Sequence, residues 1–227
     1  MVATSYGEES KQRLRSDDFT SASLDAAAII TRTQYSNHAG IIYKRSKGTT
    51  HFLHLRTEDA LDTAWEWQFL WAPLPLPPEK LFSVGLWCHR IYTKYVKTRK
   101  FPYGMHINLE DQPAFVEGGG LHLGKDTTGL TCATLIVAIL NSLGVRLFVE
   151  SGWPPRQEED LAWASRLPPS LRQMVEDQLR QGNVLRIRAE EVLGACLCMP
   201  PVDFDACRAA SLEVLKSLES IDIAANS

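Results

Sequence analysis

The stretch LTCATLIVAILNSL, from Leu130 to Leu143, carries no charged residue and constrains this chain more than any other part of it. A segment apolar on all sides reads as a buried helix, and Gly144 directly after it suits a left-handed cap. The run is shorter than the roughly 18 residues that a membrane span requires. A buried helix must be covered by other layers, so the rest of the sequence has to supply a sheet and further helices around it.

The chain has the material to do so. Its 227 residues, 44% hydrophobic and 22% charged, suit one globular domain with a substantial core. The formal net charge of −3 gives no basic footprint for a nucleic-acid backbone. The locally basic YTKYVKTRK, from Tyr92 to Lys100, reads as the solvated end of a helix. No secretory signal or membrane-spanning segment is visible, and the five scattered cysteines form neither a disulfide framework nor a CxxC pair. These features predict a cytoplasmic protein without an integral membrane segment.

Pattern reading divides the chain into a polar arm over 1–24, one domain over 25–220 and a tail over 221–227. AAAIITRT, HAGIIYK and HFLHLR read as strands, the last two as a hairpin. Thr57 to Trp71 reads as a helix, with Leu61, Trp65 and Phe69 recurring at fours, and a second helix is expected from about Glu79 to Thr98. Together they make a helical insertion at about 57–99. A strand fragment at His106 to Leu109 inside a long loop, strands at VRLFVE and VLRIR, and four C-terminal amphipathic helices complete an α+β pattern of antiparallel sheet and helices.

Cys132 stands where the apolar helix begins, with Thr128 or Thr131 as its cap. Unpaired N–H groups at a helix N-terminus lower a thiol pKa and can hold an oxyanion. Cysteine is also among the most buried residue types, so the position alone fits a structural core side chain better than a reactive one. A placed histidine changes that balance. His38 opens a strand at the sheet margin, and a turn centred on Ser46 sets it directly across from His54 on one face, while a one-residue slip brings His51 there instead. Nucleophile, base and orienting group then follow the logic of a catalytic triad. His51 and His54, three apart on a strand, do not make a metal pair, and no metal site is expected.

The HAGIIY strand, the hairpin with its polar residue and the later GLTCATLIVAILNSLG resemble the circularly permuted branch of the NlpC-type papain-like cysteine hydrolases, which includes relatives of lecithin retinol acyltransferase. In that group the histidine strand precedes the cysteine helix, as here, where His38 lies 94 positions before Cys132. The likeness spans about Asp25 to Ala195, and VLRIRAEEVLGA looks like its closing strand and helix. The long tryptophan-rich spacer between hairpin and cysteine departs from it.

The resemblance implies a papain-like fold and a cysteine hydrolase, an amidase or peptidase, with Cys132 as nucleophile, His38 as base and His54 as third residue. It implies an acyl-enzyme on a peptide, amide or acyl substrate and no cofactor. Tyr103 and His122, in the loop before Cys132, are candidates for binding substrate. Two alternatives stand beside this: a catalytically silent papain-like module that binds a protein partner, and a lipid acyltransferase or thioesterase.

Overall fold

The computed structural model describes residues 14–16, 18–45, 49–57, 60–65, 68–96, 101–149, 152–181 and 184–225. Its centre is a five-stranded antiparallel sheet built from β1 (Ala26–Arg32), β2 (Asn37–Lys44), β3 (Thr50–Thr57), β4 (Ala60–Asp62) and β5 (Leu70–Pro73), in the order β4-β3-β2-β1-β5. Helix α1 (Pro78–Tyr95) follows. A small hairpin of β6 (Ala114–Val116) and β7 (Gly120–His122) precedes α2 (Cys132–Ser142), and α3 (Gln157–Ala164), α4 (Pro169–Arg180), α5 (Ala189–Cys196) and α6 (Phe204–Ala225) close the chain. Among the described residues no helix is long and apolar enough to cross a membrane.

Both faces of the sheet are covered, which is why β1 and β2 read as nearly continuous apolar runs. Alternate residues Ala28, Ile30, Ala39, Ile41 and Leu53 join the main core with α2, whose residues Ala133 to Leu140 are all buried. The intervening residues Ala27, Ile29, Ile42 and Trp71 form a second layer with Phe19, against which Phe52, Trp65 and Phe69 pack. Helix α2 ends as its sequence predicts: Leu143 caps it and Gly144 takes φ 78°.

Several expectations require correction. The segment Thr57 to Trp71 is not a helix, since Ala60–Asp62 pairs with β3 and Leu70–Pro73 pairs with β1. Trp65 and Phe69 do share a cluster, as the spacing implied, but as a layer on a sheet face. The reason lies at Asp62, whose Oδ1 accepts from the N–H groups of Thr63 and Ala64 at 2.7 and 2.9 Å and turns the chain where a helix would continue. Of the expected helical insertion, only α1 is helical.

The end of the expected polar arm belongs to the domain. Arg15 exchanges backbone hydrogen bonds of 2.8 Å with Trp71, and Phe19 is buried edge-on to the Trp71 ring at 5.4 Å. Helix α6 runs past the expected boundary to Ala225. No strand forms at His106 to Leu109; the strands of that loop are β6 and β7. VRLFVE contributes one bridge, Phe148 with Val202, and VLRIR is extended without strand pairing, tied instead through Leu185 to Ile107 and His106.

Candidate active site

Thr131 caps α2. Its hydroxyl accepts from the Thr134 N–H at 3.2 Å while the Thr134 hydroxyl accepts from the Thr131 N–H at 2.7 Å, a reciprocal box that makes Cys132 the first helical residue. The Cys132 thiol is half-buried and borders a cleft of about 420 Å³ that is also lined by His38, Tyr103, Trp163 and Arg186. That volume lies within the range of small-molecule sites.

Burial pushes the Cys132 thiol above its ordinary value. The N–H of Ala39, the charge of Arg186 and the N–H of Ala133 oppose that push, and Glu190 adds to it. The expectation that a helix N-terminus leaves the thiol acidified is therefore not met: enclosure outweighs the local donors.

The β2–β3 register pairs Ile41 with Leu53 and Lys44 with Thr50, so the hairpin centres one residue beyond Ser46. His54 is then not directly across from His38 but diagonal to it. Because the register moves by two residues, the side chains keep the same face. His38 Nε2 lies 2.8 Å from His54 Nδ1. His51, across from Tyr43, stacks on that ring on the opposite face and takes no part.

The tautomers follow from the next partner. His54 Nε2 lies 2.7 Å from the Ala64 carbonyl, which only accepts, so Nε2 carries the proton and Nδ1 accepts from His38 Nε2. His38 Nδ1 is thereby left as the basic nitrogen of the pair. The same Asx turn at Asp62 that breaks the expected helix fixes the Ala64 carbonyl. Trp65 completes the mount, stacked on His38 at 5.6 Å and edge-on to His54 at 4.9 Å. His38 is 9% exposed and His54 fully buried. Burial, with the neighbouring His54, holds His38 down at about 3, and burial lowers His54 as well.

The structure thus brings His38 and His54 into contact and places His38 and Cys132 on the boundary of one cleft. His38 lies on the sheet face of Trp65, however, while α2 packs on the face of Ala39 and Ile41, and among the described residues no hydrogen bond links the Cys132 thiol to His38. Tyr103 lines the cleft too. His122 does not line this cleft; it lies exposed on β7, paired with Ala114. Among the described residues no three His, Cys, Asp or Glu side chains group as a metal-ligand set.

The sequence reading missed the far wall. Arg186 stacks on Trp163 at 3.5 Å and pairs with buried Asp160 at 2.9 Å, and Arg188 reaches the same Asp160 oxygen at 2.9 Å. Two arginines spaced by one residue in the otherwise apolar VLRIR were the available signal. The chain matches no family model, no curated protein and no solved structure.

Proposed function

We propose that the protein is a cysteine hydrolase of papain-like type, acting on an amide or related acyl substrate through an acyl-enzyme on Cys132. The observation that carries this reading is His38, held by buried His54 at 2.8 Å, on the boundary of the cleft that Cys132 also borders at a helix start. A nucleophile, a base and a group orienting that base are the parts that covalent acyl transfer needs.

In the proposed reaction His38 Nδ1 takes the thiol proton as Sγ attacks the carbonyl carbon. The N–H of Cys132, one of the helix-start donors without an intrahelical partner, faces the oxyanion. Collapse breaks the bond from carbonyl carbon to leaving group, and the imidazolium returns its proton to the departing amine. Water, deprotonated by His38, then attacks the thioester, releases the acid and restores the thiol. With the thiol raised and the imidazole lowered, the resting pair is neutral, so proton transfer accompanies attack and does not precede it.

Five cysteines that form no disulfide with one another suit a reducing compartment such as the cytoplasm. The rival reading, a silent module that binds a protein or peptide in the same cleft, draws on the neutral resting pair. A panel of amide, ester and thioester substrates separates the two. Turnover that disappears in Cys132→Ala and in His38→Ala supports the hydrolase, and absence of turnover across the panel with tight peptide binding supports the module.

A further inference from the structure

The cleft at Cys132 continues into a second cavity of about 630 Å³, with Ser36, Asn37, Trp163 and Arg186 on the boundary of both. The two differ in chemistry. The cleft at Cys132 has an apolar part, from Tyr103, Met105, Leu167 and Leu171, beside polar residues such as Thr33, Gln34 and Arg56. The second cavity is bordered by four arginines, Arg32, Arg166, Arg186 and Arg188, against two carboxylates, Glu159 and Glu190.

These guanidiniums are not equally neutralised. Arg186 and Arg188 share one buried Asp160 oxygen, and the further partner of Arg188, Glu159, is 65% exposed on its side chain and so weakly coupled through water. Arg166 is exposed and pairs with no carboxylate among the described residues. Two buried donors on this wall, Arg188 Nε and Trp163 Nε1, have no hydrogen-bond partner among the described residues. Buried donors of this kind are ordinarily satisfied, and the two residues that carry them line the second cavity.

We infer that the molecule bound at this site joins an apolar acyl group to a carboxylate through a carbonyl linkage, the acyl group lying against Tyr103, Met105, Leu167 and Leu171 and the carboxylate against Arg186, Arg188 and Arg166. Guanidiniums recognise carboxylates through paired N–H donors, and the apolar walls hold the acyl group without directional bonds. The assignment of the linkage to the space beside Cys132 rests on the hydrolase reading; the binding preference does not.

Calorimetry on the full chain carrying Cys132→Ser tests it. The ligands are N-octanoylglycine, its neutral amide N-octanoylglycinamide, and N-acetylglycine. The expected result is that N-octanoylglycine binds about tenfold or more tightly than either of the others, with the advantage over the amide shrinking as salt is added and in Arg166→Glu. Arg166 is exposed and pairs with no carboxylate among the described residues, so its replacement leaves the fold in place. Equal binding of acid and amide, equal binding of octanoyl and acetyl compounds, an acid preference unchanged in Arg166→Glu, or no binding of any ligand would each overturn the inference. Because the thiol is absent from this protein, an unreactive Cys132 would defeat the hydrolase reading and leave these affinities untouched.

Discussion

A Cβ placed on Gly40 would lie 2.9 Å from the Cβ of His54, closer than two such atoms approach, and 3.1 Å from Cζ3 of Trp65. The missing side chain in the middle of β2 is what lets the His54 ring and the Trp65 indole lie against the strand beside His38. Gly40→Ala should therefore destabilise the protein by about 1–3 kcal/mol and displace His54 from His38. Urea unfolding and the alkylation rate of Cys132 check the two effects; unchanged values for both would mean that Gly40 does not set the histidine pair.

The histidines also predict how stability depends on pH. His38, held at about 3 in the fold, returns to about 6.5 when unfolded, so the unfolded chain binds the extra proton between those values. Its contribution is complete above about 6.5 and is lost as pH falls toward 3, with a slope of at most about 1.4 kcal/mol per pH unit for each such histidine. His54, His51 and His106, all lowered first by burial, act with the same sign. Urea titrations from neutral to mildly acidic pH should show falling stability, and His38→Gln should flatten the curve.

Asp160 tests the wall opposite the thiol. It is 2% exposed and balances both Arg186 and Arg188, so Asp160→Asn leaves Arg186 without its carboxylate and Arg188 with only the exposed Glu159. A loss of about 3–5 kcal/mol is expected from removing one side of a buried pair. Thermal unfolding measures it, and a change below 1 kcal/mol in size, on the order of an exposed ion pair, would show that Asp160 is hydrated in solution.

Thr131→Ala removes the cap that makes Cys132 the first helical residue. About 1 kcal/mol of stability should go with it, measured by the same unfolding experiments. The thiol should also lose rate in alkylation, because fraying of the first turn moves Sγ away from the Ala39 N–H.

How much of this was legible in the sequence depended on what kind of error each reading could absorb. The hairpin centre was misplaced by one residue, yet the histidines stayed on one face because strand side chains repeat every two residues and the register moved by two. The start and stop of α2 were readable because Thr131, the apolar run and Gly144 are all local signals. The stretch from Thr57 to Trp71 was not. Leu61, Trp65 and Phe69 have helical spacing, but Leu70 and Trp71 gain more by pairing with β1, and that partner lies some forty residues earlier. The Arg186–Asp160–Arg188 cluster was hidden for a related reason: QEEDLAWA looks like a solvated helix, and nothing local marks Asp160 as the one carboxylate that is buried.

The central claim is that His38 activates Cys132. Iodoacetamide alkylation at neutral pH, followed residue by residue, tests it most directly, with Cys198 as internal reference because it is the other half-buried thiol while Cys88, Cys196 and Cys207 are buried. The account predicts that Cys132 reacts faster than Cys198 and slows by about tenfold or more in His38→Gln, the scale of a lost general base. A Cys132 no faster than Cys198, or a rate indifferent to His38→Gln, would contradict it.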